Sequence, residues 1–243
     1  MTDLTTKLRR SIRKYVRNSG FRRKIAPDFY DVMHCHSIDV VLDVGANDGD
    51  YGREIRDRGY KGLIVSFEPN PDVYQRLVRS TSGDANWLTY PYGLGSQDGT
   101  ASLRIAENDT MSSFNELTEF GLCTGAKLTK TEHVKILTID TFLREHPELD
   151  RRIYLKIDTQ GFEMEVLKGA VGHLDRITAV QAELALVHSY RNESDWLDVI
   201  LWMRSNNFEV ATAVCNSALV AQVREFDFVF VNQRASAFSL HRS

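Results

Sequence analysis

Cysteine, long apolar runs and phosphate-binding glycine motifs are all scarce or missing in this chain of 243 residues. Its three cysteines, Cys35, Cys123 and Cys215, are far apart and form no C-x-x-C pair, which favours reduced thiols over a disulfide framework. No run approaches the roughly 20 apolar residues that a membrane span needs. No apolar segment of the signal-peptide type follows the basic N-terminus. These absences predict a soluble, cytoplasmic protein.

Charge is distributed unevenly along the chain. Residues 1–24 contain nine Lys or Arg against one acid and carry a net charge of +8, whereas the whole chain carries −3. The remaining body is therefore acidic, which disfavours nucleic acid as a partner. Leu4, Leu8, Ile12 and Val16 recur at helical spacing among the basic residues. This basic amphipathic helix either packs on the core or contacts an anionic membrane surface, such as the inner face of a cell membrane.

Apolar strand-like runs alternate with helical stretches from Asp39 onward, a pattern that predicts one α/β domain with a mostly parallel sheet. An Asp98-Gly99 turn indicates an added hairpin after the third strand, and the last two strands are expected over Phe208–Val214 and Phe226–Val231. Our predicted organisation has three parts: a basic helical segment over 1–37, the α/β domain over 38–233 and a tail over 234–243.

A ligand-binding turn is expected where the first strand ends. The sequence V-V-L-D-V-G-A-N-D-G over 40–49 places Asp43, Gly45 and Gly49 after a buried run, where glycine lets a ligand approach the backbone. Glu68 follows the second strand and is suited to the two hydroxyls of a nucleoside ribose. Neither G-x-G-x-x-G nor a Walker-type phosphate loop is present. An acidic turn without a phosphate motif indicates a cationic nucleoside.

Several segments resemble the FkbM family of class I S-adenosylmethionine-dependent methyltransferases. They are V-L-D-V-G-A-N-D-G (41–49), S-F-E-P-N (66–70), G-L-G-S-Q-D-G (93–99), V-K-I-L-T-I-D-T-F (134–142) and Y-L-K-I-D-T-Q-G-F-E-M-E-V-L-K-G-A (154–170). The resemblance implies a seven-stranded, Rossmann-like methyltransferase sheet and methyl transfer to oxygen. The T-Q-G-F-E segment and the short length resemble the deoxysugar (fucose or rhamnose) O-methyltransferases, including the nodulation-factor fucose 2-O-methyltransferases. The implied acceptor is a sugar hydroxyl of a glycolipid, lipo-oligosaccharide or similar glycoconjugate.

The resemblance also implies the residues that hold S-adenosylmethionine. A turn would hold the methionine part, an acid would bind the ribose, and a glycine-containing segment would lie near the adenine. The turn consists of Asp43, Gly45, Ala46, Asn47 and Gly49. The ribose acid is Glu68, with Pro69 beside it. The segment near the adenine is Gly93 with Leu94. The family more often has Glu at position 160 and Pro at position 188, so the roles of Gln160 and His188 are not implied by it.

Three residues are candidates for the proton-accepting base. Asp158 directly follows a strand, Glu183 ends another, and His188 is chemically the better base near neutral pH. Asp158, Glu163 and Glu183 are also candidates for a Mg²⁺ site, because Mg²⁺ prefers carboxylate oxygens. Ser112, Ser113 and Asn115 lie in an irregular section over 107–131 and are candidates for sugar contacts or for an ordinary surface loop.

Two other function classes remain open on these residues. One is an NAD-type oxidoreductase, which the missing phosphate fingerprint disfavours. The other is a non-catalytic, membrane-associated protein that keeps the methyltransferase fold, which the presence of Asp43, Glu68 and Asp158 disfavours.

Overall fold

The computed structural model describes residues 27–123, 125–149, 151–219 and 222–234. The expected basic helix over 1–24 and nearly all of the expected tail over 234–243 lie outside these residues. The strands are β1 Val40–Val44, β2 Leu63–Phe67, β3 Trp87–Tyr90, β4 Gly93–Leu94, β5 Gly99–Ala106, β6 Leu128–Leu137, β7 Ile153–Ile157, β8 Ile177–Ala185, β9 Phe208–Leu219 and β10 Gln222–Asn232. The α-helices are α1 Phe29–Cys35, α2 Asp50–Asp57, α3 Pro71–Thr81, α4 Glu119–Cys123, α5 Ile139–Glu145, α6 Glu163–Lys168 and α7 Trp196–Ser205.

A seven-stranded sheet in the order β3-β2-β1-β7-β8-β10-β9 forms the centre of the fold. The pairs from β3 through β8 are parallel, and β10 runs antiparallel to both of its neighbours. Every residue of β1 and β7 is buried, as expected where helices cover both faces of a parallel sheet. This arrangement confirms the predicted mostly parallel α/β sheet.

Helices and short turns cover the two faces of the sheet with separate apolar clusters. On one face Val40, Leu42 and Leu155 pack with residues of α5, α6 and α7. On the other face Val41 and Tyr154 pack with Val32 and Met33 of α1 and with Ile55 of α2. Within the described residues, no helix is long and apolar enough to cross a membrane.

The expected insertion after the third strand is a small second sheet. β5 and β6 pair antiparallel, and β4 joins β6 in parallel. Between β5 and β6 lie a 3-10 turn at Asp109–Met111 and the helix α4. This segment docks on the loop after β8, where Thr118 N donates to Ser189 O at 3.0 Å and Leu117 bridges Tyr190. The insertion, from β5 to β6, therefore lies above the carboxyl ends of the parallel strands.

The last hairpin is longer than the sequence predicts. β9 continues to Leu219 and β10 begins at Gln222, whereas the apolar pattern indicated strands only over Phe208–Val214 and Phe226–Val231. The additional residues, C-N-S-A-L in β9 and Q-V-R-E in β10, do not alternate regularly between apolar and polar types, so alternation could not identify them. Their pairing brings Arg224 and Glu225 of β10 beside the end of β8.

Candidate functional site

A cavity of about 480 Å³ lies at the carboxyl ends of β1, β2, β7 and β8, beneath the insertion. This is the edge of an open α/β sheet where ligands bind, and the volume falls in the range of small-molecule pockets. Of the residues expected to hold the cofactor, the lining includes Gly45, Asn47, Glu68, Pro69, Gly93 and Leu94. Asp43, Ala46 and Gly49 lie outside the lining and support the turn.

The turn after β1 depends on glycine at position 45. Gly45 has a φ of +76°, and a Cβ atom there would lie 1.9 Å from the backbone oxygen of Asp158. Any side chain would therefore collide with the end of β7 as well as strain the backbone. Gly49, at φ +94°, is the N-cap of α2. The turn and the first residue after β7 are packed together as one unit.

Glu68 is a buried carboxylate with its acceptor capacity only partly used. Its Oε2 accepts from Asn47 N at 2.9 Å and its Oε1 accepts from Asn70 N at 2.8 Å. Burial raises the pKa of Glu68 to about 7, although these two backbone donors act in the opposite direction. A carboxylate oxygen has two lone pairs, so each can still accept a ligand hydroxyl. This geometry fits the ribose of a nucleoside.

Asp43 lies in a row of polar side chains that crosses the middle of the sheet. It has no exposed surface, and its neighbours in register are Ser66 on β2 and Lys156 on β7. Ser66 Oγ donates to Asp43 Oδ2 at 3.2 Å, and Lys156 Nζ lies 3.3 Å from Asp43 Oδ1. Asp43 is therefore part of a buried polar row in the sheet, and its own carboxylate does not line the cavity.

Lys156 connects this row to the cavity, and it was not among the residues predicted from the sequence. Only 7% of it is exposed, and its Nζ lies 3.5 Å from Asp158 Oδ2 and 3.5 Å from Gly45 O. Burial alone would lower the pKa of Lys156, but the carboxylates of Asp43 and Asp158 raise it above its ordinary value. The available signal was a lysine inside an otherwise buried strand, which needs an acid partner.

Two of the three candidate bases line the cavity. Asp158 and Glu183 both line it, and Gln160 Nε2 donates to Asp158 Oδ1 at 3.1 Å and to Glu183 Oε2 at 3.2 Å. The amide of Gln160 thus joins the two carboxylates. His188 is not part of the lining, and its backbone carbonyl accepts from Thr118 Oγ1 at 3.0 Å.

The Mg²⁺ hypothesis is not supported by this geometry. Glu163 Oε1 accepts from Thr159 N at 3.0 Å, from Thr159 Oγ1 at 3.1 Å and from Gly161 N at 3.1 Å. Its carboxylate thus fastens the turn before α6, and burial raises its pKa to about 7. The amide of Gln160 occupies the space between Asp158 and Glu183 that a shared cation would need. No group of three potential metal ligands forms within the described ranges.

The insertion holds the Gln160–Gly161 turn from above. Ser113 Oγ donates to Gln160 O at 2.6 Å, and Asn115 Nδ2 donates to Gly161 O at 2.6 Å. Tyr190 Oη, which is buried, lies 2.9 Å from Gln160 Oε1 and 3.1 Å from Met111 O. Ser113 and Asn115, two candidates for sugar contacts, are thus bonded to the protein backbone.

Comparisons with known proteins agree on one family. A family model described as the methyltransferase FkbM domain matches residues 43–210. A hexuronic acid methyltransferase, AglP, of Haloferax volcanii is 29% identical over 150 residues, which is 60% of this chain and 56% of that protein. Methyltransferase 1 of Beauveria bassiana is 26% identical over 196 residues, which is 75% of this chain and 77% of that protein.

The fold comparison agrees with the sequence comparisons. The crystal structure of an FkbM methyltransferase from Methylobacillus flagellatus superimposes with a TM-score of 0.52 at 14% identity. The match covers 86% of this chain and 46% of that one. The chain thus spans about half the length of the first relative and of this solved structure.

Proposed function

We propose that this chain, which belongs to the methyltransferase FkbM family, is an S-adenosylmethionine-dependent O-methyltransferase that acts on a sugar hydroxyl of a glycoconjugate. One observation carries the cofactor assignment. The buried carboxylate of Glu68 is fixed by Asn47 N and Asn70 N and faces the same cavity as the Gly45 turn. Asp109, Asp158 and Glu183 make this cavity acidic, which suits a cofactor with a sulfonium and an ammonium group.

In this proposal different residues of the chain bind different parts of the cofactor. Glu68 binds the ribose hydroxyls, with Pro69 beside it. The backbone of Gly45 and Asn47 borders the methionine part, and Gly93 with Leu94 borders the adenine. When bound, S-adenosylmethionine supplies an electrophilic methyl group on a positively charged sulfur. An NAD-type cofactor has a pyrophosphate instead, which these acids would repel and for which no phosphate loop is present.

We assign to Asp158 the role of accepting the proton of the acceptor hydroxyl. Transfer to an alcohol depends mainly on alignment of the attacking oxygen, and a positioned base contributes a further factor of about 10²–10⁴ as the proton leaves. Asp158 lines the cavity next to Gly45 and is held from two sides, by Gln160 Nε2 and by Lys156 Nζ. It accepts the proton in our scheme, and Glu183 is held beside it through the same amide.

The sugar acceptor is supported by a relative. The Haloferax volcanii relative is named a hexuronic acid methyltransferase, and we transfer from it the general class of a sugar-bearing acceptor. A glycolipid acceptor and contact of residues 1–24 with an anionic membrane surface both stay predictions. Such contact would bring the enzyme to a lipid-linked substrate.

The experiment that tests this function has a binding arm and a cellular arm. Calorimetric titration of the purified protein with S-adenosylhomocysteine should give saturable binding, whereas NAD should give none. Glycolipids of cells that lack the gene should lose one methylene on a particular sugar, and the native gene should restore it. A gene encoding Asp158→Asn should fail to restore it although the protein still binds S-adenosylhomocysteine.

Asp57→Asn is the matched control, because Asp57 is an exposed acid at the end of α2. It should restore the methyl group fully. Binding of NAD without S-adenosylhomocysteine would overturn the cofactor assignment. Equal loss of cofactor affinity and methylation in Asp158→Asn would overturn the assigned role of Asp158.

A further inference from the structure

Arg224 is a cation in the cavity lining that forms no ion pair with a described residue. It lies on β10 and lines the cavity together with Glu225, Glu183 and Tyr190. Its Nε is buried and has no hydrogen-bond acceptor. In the ranges that the structure describes, no carboxylate oxygen pairs with its guanidinium. Its one strong contact is with the ring of Phe120, whose centroid lies 4.7 Å from its Cζ.

This situation contrasts with that of the other arginines near the cavity. Arg76 pairs with Asp109, and Arg104 donates to Phe114 O at 2.7 Å and to Glu116 Oε1 at 3.1 Å. A partly desolvated guanidinium without an acceptor is costly, and proteins normally pair it. The unpaired cation of Arg224 therefore needs an explanation beyond the packing of the hairpin.

The position of Arg224 is fixed by the protein. Arg224 O accepts from Leu186 N at 2.7 Å, and its neighbour Glu225 is in register with Ala185 of β8. The guanidinium carbon of Arg224 lies over the ring of Phe120 on α4. The backbone pairing and this cation–π contact restrict where the guanidinium can lie, and its planar fork suits a bidentate partner.

We propose that Arg224 binds a carboxylate of the acceptor, so that the favoured acceptor is an acidic sugar of the uronic acid type. This inference rests on the proposed function, because it places the acceptor in the half of the cavity away from Glu68. A carboxylate matches the guanidinium fork and carries one negative charge. A phosphate ester carries up to two at neutral pH, and Glu225 and Glu183, which line the same end, would oppose the second charge.

The sheet order gives the distance over which this recognition works. Asp158 follows β7, and Arg224 lies on β10, which is two strands further along the sheet. Two strand spacings amount to about 10 Å. The pairing register also places Arg224 three residues further along the strands than Asp158, which adds about 10 Å in that direction, so their backbones lie about 14 Å apart. Both residues line the cavity, and their side chains span part of this distance. The carboxylate is thus about one sugar unit from the hydroxyl at Asp158. It belongs to the methylated sugar or to the one next to it.

The test compares neutral and acidic ligands of the same shape. Methyl glucuronide, methyl glucoside and the 6-phosphate of methyl glucoside are titrated by calorimetry, or by ligand-observed NMR where binding is weak. Each titration uses the protein with and without saturating S-adenosylhomocysteine. In the native protein the glucuronide should bind about 10- to 100-fold more tightly than the glucoside, the advantage expected for hydrogen bonds to a charged group. The phosphate ester should bind less tightly than the glucuronide.

Arg224→Gln should remove the preference for the glucuronide and leave binding of the glucoside and of S-adenosylhomocysteine unchanged. Those two unchanged affinities verify that the variant is folded. Arg224→Lys should keep part of the preference for the glucuronide, because lysine has the positive charge but not the planar guanidinium that binds a carboxylate with two hydrogen bonds. Arg79→Gln removes one positive charge from an exposed position on α3 and should keep the whole preference.

Several results would overturn the inference. They are equal or undetectable binding of glucuronide and glucoside to the native protein, persistence of the preference in Arg224→Gln, and tighter binding of the phosphate ester. The proposed function fails separately, by loss of S-adenosylhomocysteine binding. In that case the titrations without S-adenosylhomocysteine still decide the role of Arg224.

Discussion

Substitution of Lys156 by methionine tests the buried polar row beside the Gly45 turn. Asp43 has no exposed surface, and apart from Lys156 its carboxylate has one neutral partner, the hydroxyl of Ser66. Methionine fills a similar volume but leaves the carboxylate of Asp43 as a buried charge without a cation. Removal of one partner of a buried ion pair costs about 3–5 kcal/mol. We expect Lys156→Met to lose this amount from its free energy of unfolding.

Urea unfolding followed by circular dichroism measures the loss. Since 1 kcal/mol corresponds to about 2–4 °C for a chain of this size, thermal unfolding should also shift by about 10 °C. The combined variant Asp43→Asn with Lys156→Met removes both charges and should recover at least half of the loss, because residues in direct contact do not act additively. The exposed Lys130, which pairs with Asp72 at 3.1 Å, gives the control Lys130→Met, for which we expect an unchanged unfolding midpoint.

Two results would refute this reasoning. A loss of less than about 1 kcal/mol in Lys156→Met, as for a surface ion pair, would mean that water or a rearranged side chain compensates Asp43. A combined variant at least as unstable as Lys156→Met would mean that Lys156 acts through packing rather than charge. In either case the support of the Gly45 turn would have to come from the backbone alone.

Two further predictions concern buried glutamates with raised pKa values. Glu68→Gln keeps the size of the side chain but removes its charge, so it should weaken S-adenosylhomocysteine binding by about 10- to 100-fold, measured by calorimetry; an unchanged dissociation constant would remove Glu68 from the cofactor site. Burial raises the pKa of Glu163 from an ordinary 4.5 to about 7, so the folded protein binds this proton more tightly than the unfolded chain does. Stability should therefore fall as pH rises through this window. Glu163→Gln should make the urea midpoint less dependent on pH between 5 and 7.5, and an identical slope in both proteins would contradict this.

The sheet, and the meeting of Gly45, Asn47 and Glu68 in one cavity, could be predicted because their signals are contiguous in the sequence. Gly45 and Asn47 belong to one turn after an apolar strand, and Glu68 directly follows the next strand. Parallel pairing of β1 and β2 then brings these residues together without further information. The same pattern placed Asp43 at the site but could not show its direction, because adjacent residues of a strand point to opposite faces.

The half of the cavity away from Glu68 could not be predicted in the same way, since it joins residues that are far apart in the chain. Gln160 follows β7, Tyr190 follows β8, and Arg224 lies where apolar alternation had stopped. Their contacts depend on how the insertion docks and on how far the last hairpin continues. His188 was chosen from its chemistry alone, and the structure leaves it outside the cavity lining. The chemical type of a residue identified candidate bases in the sequence. Which of them line the cavity depends on tertiary packing.

Gln160 accounts for how Asp158 and Glu183 lie close together in the cavity lining without a third acid. The resemblance led us to expect a glutamate at this position more often than a glutamine. A carboxylate at this point would face Asp158 and Glu183 at about hydrogen-bond distance, and three like charges would need a cation or shared protons. The amide instead donates to both acids and accepts from Tyr190 Oη. The neutral amide thus holds the two carboxylates together without a cation, and in our proposal Asp158 remains free to accept the proton of the acceptor hydroxyl.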